Sequence, residues 1–363
     1  MAFPSCLFAL RRCALVLACT LALPAAATPS QATTEATALV TAPVDGSWTL
    51  PLSELEALMR RELFDPSLLN SPAYAALRAE LQALLAAGVQ RKSFVQAFNA
   101  AWRKGPSSHV HLQPASVSAT QLADHFDEMS AGPEAVQLAW KGDAAVLAVH
   151  TFMGRDTEAA ITAAYREITA RPARALIIDL RRNQGGALAV APLVGHLLAQ
   201  PHDGGVFISQ RGHSAGSPER PAVERLPPWR GSTLREFWAD VQAAPYTRLR
   251  FEPRSPHYAG PVYVLVSTRT ASAAELATDA LLGSGRAQVF GERTAGQMLS
   301  QKPFDLPEQL MLFVPVADYH AWHSGRIEGR GVTPTRTLQA DLALDAALTE
   351  IARQNSPTPE RTP

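Results

Sequence analysis

Val262-Tyr263-Val264-Leu265-Val266-Ser267-Thr268-Arg269-Thr270-Ala271-Ser272-Ala273-Ala274-Glu275 runs from five apolar residues through a polar turn into a helical pattern. Five successive apolar residues suit a strand. A serine at such a strand-to-helix turn presents its hydroxyl at a helix N-terminus. There, unpaired N–H groups and the helix dipole favour negative charge, which acyl transfer develops beside the attacking oxygen. Ser272 to Glu275 also spells S-x-x-E, a plain capping box. On this segment alone both readings stand.

Upstream, Ala175-Leu176-Ile177-Ile178-Asp179-Leu180-Arg181-Arg182-Asn183-Gln184-Gly185-Gly186 repeats the design. An apolar strand ends in a glycine pair, which permits positive φ and exposes backbone N–H groups. Alone, this is an anion nest or a tight turn. Further strands are expected at 109–112, 145–150 and 206–209, and helices at 157–169, 187–200 and 273–282. Alternating strands and helices argue for an α/β domain over residues 106–345. The proline- and arginine-rich stretch 213–256 is expected as a surface excursion, and residues 346–363 as a C-terminal tail.

Before the α/β region, residues 48–105 have helical periodicity. Leu52, Leu55, Leu58, Met59 and Leu63 form one stripe, Tyr74, Leu77, Leu81, Leu84 and Leu85 a second, and Phe94, Phe98 and Trp102 a third. Pro66, Pro72 and Gly88 separate the stripes, so a small three-helix unit is expected. Residues 1–27 read as a secretory signal peptide: Arg11-Arg12, an apolar run from Cys13 to Leu23, then Ala25-Ala26-Ala27. That run is too short to span a bilayer as a helix. Twin-arginine export and a lipid anchor at Cys19 are weaker alternatives to simple cleavage. Residues 28–47 read as a flexible leader. All three cysteines fall inside the signal segment, so the processed chain would offer no thiol for disulfides, catalysis or metal binding. Zero formal net charge and the lack of a basic run argue against a nucleic-acid partner. The location implied is periplasmic or secreted, with no membrane span after cleavage.

Taken in order, the motifs resemble those of the tail-specific (C-terminal processing) protease and tricorn-core family of serine peptidases. Asp179-Leu180-Arg181-Arg182-Asn183-Gln184-Gly185-Gly186 resembles its D-L-R-x-N-x-G-G signature, and Thr270 to Glu275 its nucleophile segment. Gly291-Glu292-Arg293-Thr294-Ala295-Gly296 is similar to its G-E-x-T-x-G turn. Ser324-Gly325-Arg326-Ile327-Glu328-Gly329-Arg330-Gly331-Val332-Thr333-Pro334 is similar to its closing segment. The resemblance implies a crotonase-like (ClpP/crotonase) α/β core preceded by a small helical bundle. It further implies an exported endopeptidase that cleaves a peptide or protein substrate through Ser272 and an acyl-enzyme, with no cofactor.

Two departures refine it. Many relatives place a catalytic lysine directly after the G-E-x-T-x-G turn, where this chain has Gln297, and glutamine cannot accept the serine proton. The chain has only four lysines, and Lys302 is the one nearby. Those relatives also carry a PDZ module, for which the interval between Leu112 and Ala144 is too short. Both departures point to the tricorn-like branch, whose members use serine, histidine and glutamate. Carried over, Ser107-Ser108-His109 supplies His109 as the base with Ser108 assisting. Glu328 orients the imidazole, and the N–H groups of Gly185 or Gly186 and of Ala273 form the oxyanion hole. This scheme requires His109 to reach Ser272. The competing scheme is a catalytically inactive relative that binds peptides or apolar ligands in the same cleft. His109 and His111 would share one face of a strand, a spacing that also suits a metal, but no third ligand is visible.

Overall fold

The computed structural model describes residues 50–171, 173–215 and 218–354. The signal segment, the leader, all three cysteines and residues 355–363 lie outside the described residues. The chain first builds α1 (Leu52–Glu62), α2 (Pro72–Ala86) and α3 (Arg91–Trp102). Ser71 caps α2, its hydroxyl accepting from Tyr74 N–H at 3.2 Å, with Pro72 at the first helical position. The stripes Leu55-Leu58-Met59, Tyr74-Leu77-Leu81 and Phe94-Phe98-Trp102 are buried, as their spacing demands.

Then follow β1 (His111–Pro114), α4 (Ala119–Glu128), β2 (Val136–Lys141), β3 (Ala144–Val149), α5 (Arg155–Ala170) and β4 (Ala175–Asp179). Next come α6 (Val190–Gly195), β5 (His202–Ser209), α7 (Gln210–Ala215), α8 (Arg220–Glu224), α9 (Leu234–Ala243) and β6 (Tyr246–Phe251). The remainder comprises β7 (Val262–Val266), α10 (Ala273–Gly283), β8 (Gln288–Gly291), β9 (Ser300–Leu306) and β10 (Leu310–Ala321). It ends with β11 (Gly325–Arg326), β12 (Arg336–Thr337) and α11 (Ala343–Gln354).

These strands form two sheets. One has the order β12-β8-β7-β4-β3-β2 and is parallel except for β2 at its edge. Its central strands are apolar except for Asp179 at the end of β4, because both faces are covered. On β7, Val262, Val264 and Val266 enter one core while Tyr263 and Leu265 enter another, beneath Ala343, Ala347 and Ile351 of α11. The second sheet is antiparallel and centred on β10, which pairs with β1, β5, β9 and β11, with β6 beyond β5. Because β4, β7 and β8 are adjacent and parallel, the loops that follow them emerge together at one edge of their sheet, where ligands bind in open α/β sheets.

Several expectations change. The helical segment 48–105 has no separate core: its stripes share one cluster with Leu112, Leu310, Leu312 and Val314 of the antiparallel sheet. The helix expected at 187–200 is confined to α6. The carbonyls of Gly195 and His196 accept Arg254 N–H and Tyr258 N–H, each at 2.9 Å, and from its own segment the Gly195 carbonyl accepts only a tight bond from Leu198 N–H at 3.3 Å, so the helical ladder gives way there. The 213–256 excursion is in part structural, since it contains α9 and the sheet strand β6. The expected tail is helical through Gln354 and closes one face of the parallel sheet. The strand expected from residue 109 begins at His111, because His109 has φ 62° and breaks from the extended path. His109 and His111 therefore do not share a strand face.

Candidate active site

Ser272 follows β7 and starts α10 with φ 54° and ψ −122°. For a non-glycine residue this backbone is strained, at a cost of about 1–3 kcal/mol that the surroundings must hold in place. The restraints are visible. The Ser267 hydroxyl donates to the Arg181 carbonyl at 2.6 Å, the Thr270 hydroxyl to the Leu180 carbonyl at 2.9 Å, and Ala271 N–H to the Asn183 carbonyl at 3.1 Å. The turn after β7 is thus stitched to the turn after β4. A side chain on Gly185, which has φ 102°, would place its Cβ 2.6 Å from Ser272 Cβ and 3.1 Å from its hydroxyl. Only glycine leaves that oxygen room.

The glycine pair does not contribute evenly. Gly185 N–H donates to the side-chain oxygen of the fully buried Asn183 at 2.7 Å, which removes it from the expected oxyanion set. The Asn183 amide nitrogen in turn donates to the Val149 carbonyl at 3.0 Å. Gly186 and Ala273 remain, and no hydrogen bond among the described residues engages either N–H.

Glu275 is the hub beneath the Ser272 turn. Its fully buried carboxylate accepts from Ser272 N–H at 3.0 Å, Gly296 N–H at 2.7 Å, Gln297 N–H at 2.9 Å and the Thr294 hydroxyl at 2.6 Å. Burial pushes its pKa up, and these four donors oppose that shift. The capping reading of this glutamate and the functional reading of the serine are therefore compatible, since one carboxylate ties the Ser272 turn to the turn after β8.

A second buried carboxylate continues the path. Glu328 accepts from Met298 N–H at 2.7 Å and from the Ser108 hydroxyl at 2.5 Å, and that hydroxyl oxygen lies 2.6 Å from His109 Nδ1. Ser108 has one proton. With that proton given to Glu328, its oxygen accepts from His109 Nδ1–H and leaves Nε2 as a free base. Burial, with a smaller contribution from His111, lowers the His109 pKa from 6.5 to about 4, so the imidazole is neutral at ordinary pH. Burial raises the pKa of Glu328.

The expected residues thus form two groups. Ser272, Gly185, Gly186 and Ala273 make one, and Ser108, His109 and Glu328 the other. They are linked through Glu275 and the backbone of residues 296–298. No direct hydrogen bond joins the His109 ring to the Ser272 hydroxyl among the described residues. Gln297 is exposed, and Lys302 is held elsewhere by Gln242 at 2.8 Å and the ring of Phe304. His111 stacks on Phe313, with ring centroids 4.2 Å apart. Among the described residues no three His, Cys, Asp or Glu side chains are grouped to hold a metal. A cavity of about 590 Å³ borders Ser107, Ser108 and Glu328 but not Ser272.

A family model described as Peptidase family S41 matches residues 143–338, more than half of the chain. The chain belongs to Peptidase family S41. A carboxyl-terminal-processing protease from a Picosynechococcus species is 36% identical over 111 residues, covering 29% of this chain and 27% of that protein. A chloroplastic C-terminal processing peptidase from Tetradesmus obliquus is 26% identical over 187 residues, covering 52% and 33%. The match thus spans about a third or less of these relatives' own length. Among solved structures, a peptidase-like protein from Parabacteroides merdae superposes with a TM-score of 0.57 at 12% identity, covering 82% of this chain and 95% of that one. A lipoprotein from Streptococcus agalactiae gives 0.53 at 14% identity, covering 84% and 98%. These two speak for the mixed α/β fold. The S41 match encloses β3 to β12, and with them Ser272, Glu275 and Glu328. Ser108 and His109 lie before it.

Sequence reasoning missed Asn183 and the wider role of Glu275. The first stood in view as an amide two residues before Gly185, within reach of the backbone N–H groups of that turn. The second showed only as a cap, because its other donors lie about twenty residues downstream, beyond any local pattern.

Proposed function

We propose that the chain is a serine endopeptidase in which Ser272 attacks a peptide carbonyl and His109 takes its proton. The observation that carries this reading is the Ser108 hydroxyl bridging Glu328 at 2.5 Å and His109 Nδ1 at 2.6 Å. The bridge selects the tautomer whose Nε2 is unprotonated, which a general base needs. As Ser272 Oγ bonds to the carbonyl carbon, its proton passes to Nε2 and the imidazolium is stabilised through Ser108 by Glu328. The N–H groups of Gly186, in the turn after β4, and of Ala273, at the N-terminus of α10, receive the oxyanion. The imidazolium then protonates the leaving amine, and water drawn through the same base releases the acyl group.

The tricorn-like assignment draws support from Gln297 at the lysine position and from the engagement of Lys302 away from the turn. The crotonase-like assignment of the core draws support from the parallel strand order. Export and a periplasmic or secreted location rest on the order of charge, apolar run and small residues in positions 1–27. Peptide or protein substrates follow from membership of a peptidase family.

A fluorophosphonate probe tests the reading. Wild-type protein should be labelled, Ser272→Ala should not, and His109→Ala should be slowed almost as much. A folded wild type that resists labelling overturns it. The second reading, an inactive relative that binds peptides, is favoured by the missing bond between His109 and Ser272. That reading requires peptide binding with no labelling. In a resting enzyme the bond is expected to close when substrate excludes water.

A further inference from the structure

Four guanidinium groups stand on the loops around Ser272 without a carboxylate partner. Arg182 lies three residues before Gly185, Arg269 three before Ser272 and Arg293 three before Gly296, while Arg330 sits in the closing loop between Gly329 and Gly331. All four are exposed.

The backbone sets them in a row along the carboxyl edge of the parallel sheet. The Ser267 hydroxyl donates to the Arg181 carbonyl at 2.6 Å and accepts from Arg269 N–H at 3.0 Å, which joins the loops carrying Arg182 and Arg269. Thr268 N–H donates to Glu292 at 3.4 Å, which brings Arg293 next in line, and the Arg293 guanidinium donates to the Arg330 carbonyl at 3.2 Å. Glu292 is the acidic side chain within the row, and its oxygen faces Thr268 N–H.

Among the described residues, other arginines without a carboxylate partner, such as Arg103, Arg171 and Arg225, lie on other elements; what sets these four apart is that they share adjacent loops with Ser272. Arg181 is clasped by Asp179 at 2.9 and 2.6 Å. In the 213–256 segment, Arg220, Arg230, Arg235, Arg248, Arg250 and Arg254 each have a carboxylate within 3.6 Å. Among the described residues none of the four site arginines takes part in an ion pair. The chain has 33 basic and 33 acidic residues in all, so this grouping at one edge is an asymmetry of placement and not of composition. Guanidinium groups pair with carboxylates through a planar fork, and a row of one sign draws in the opposite charge.

We propose that this arginine row selects peptides with acidic side chains and steers them across Ser272. The cleavage part rests on the reading of Ser272 as a nucleophile, whereas the binding part does not. Three peptides of one core sequence separate the sources of negative charge: one with Asp and Glu flanking the centre and an amidated end, one neutral with a free C-terminal carboxylate, and one neutral and amidated. Their binding to Ser272→Ala is read by fluorescence anisotropy, and their kcat/KM on the wild type.

At low ionic strength the acidic peptide should bind at least about tenfold more tightly than the neutral amidated one, the sum of several exposed pairs. That preference should shrink as salt screens the charges. It should fall by part in Arg182→Gln/Arg269→Gln, fall further with Arg293→Gln and Arg330→Gln added, and persist in Lys141→Gln at the opposite edge of the sheet. Equal binding of the acidic and neutral peptides overturns the proposal. So does a preference that survives the fourfold variant, or one confined to the free C-terminal carboxylate. Fluorophosphonate labelling without acidic preference removes the arginine row alone, whereas acidic preference without labelling removes the nucleophile reading alone.

Discussion

At the scale of single residues, the Glu328–Ser108–His109 bridge carries the most consequence. Glu328→Gln replaces one accepting oxygen with a donating amide, which then opposes either Ser108 or Met298 N–H. Ser108 turns its proton towards Nδ1, and the imidazole adopts the tautomer with Nε2 occupied. The expected result is a loss of kcat approaching about 10⁴-fold with little change in KM. Unchanged kcat would show that the carboxylate only supports the fold. The pH dependence has a definite sign. In the proposed mechanism neutral His109 is the working form, and burial lowers its pKa to about 4, so the acid limb of kcat/KM should lie near pH 4 and not near the ordinary 6.5. The same shift at His109 and His111 bears on stability. Between these values the unfolded chain binds the protons first, so stability falls as the pH drops from 6.5 towards 4. Activity and circular dichroism must therefore be followed together, and an acid limb near 6.5 in a folded protein would identify another base.

At the scale of elements, the junction of β7 and α10 depends on two close approaches. Gly185→Ala would drive a methyl group into Ser272 at a position with φ 102°. It should abolish fluorophosphonate labelling while costing only about 1–3 kcal/mol of stability. A variant that labels at the wild-type rate would mean that the turn after β4 does not set the position of Ser272. Glu275→Ala acts differently, for it leaves the N–H groups of Ser272, Gly296 and Gln297 and the Thr294 hydroxyl without their acceptor. Each stranded donor costs about 1–3 kcal/mol. Denaturant unfolding should therefore show a loss of several such increments, together with loss of labelling. A loss no larger than that of an ordinary helix cap would reduce Glu275 to a local role.

At the scale of the whole molecule, α1 to α3 and the antiparallel sheet share a core, so the helical segment is coupled to the site. Phe98 is fully buried in that cluster beside Leu112, three residues beyond His109. Phe98→Ala should cost about 3–5 kcal/mol of stability. In the fraction still folded, it should slow labelling of Ser272 through the position of His109. Destabilisation with an unaltered labelling rate would separate the two. The closing helix α11 is coupled to the other face, where Ala347 and Ile351 cover Tyr263 and Leu265 on the strand that leads to Ser272.

The order of motifs, the strand-to-helix turn at Ser272 and the helical stripes of residues 52–102 were legible in the sequence. These features repeat at fixed short intervals, and backbone sterics and burial act on them locally. The apolar runs of β4 and β7 likewise declared strands. Tertiary structure alone decided which distant groups meet. It placed the turns after β4, β7 and β8 at one edge, gave Glu275 donors from residues 294–297, and brought Ser108 to Glu328 across 220 positions. It also halted α6 early, committed Gly185 N–H to Asn183 and lifted His109 off the strand. In each case the deciding force was a buried polar group that had to find its partner from another part of the chain, and no local pattern records where such a partner comes from.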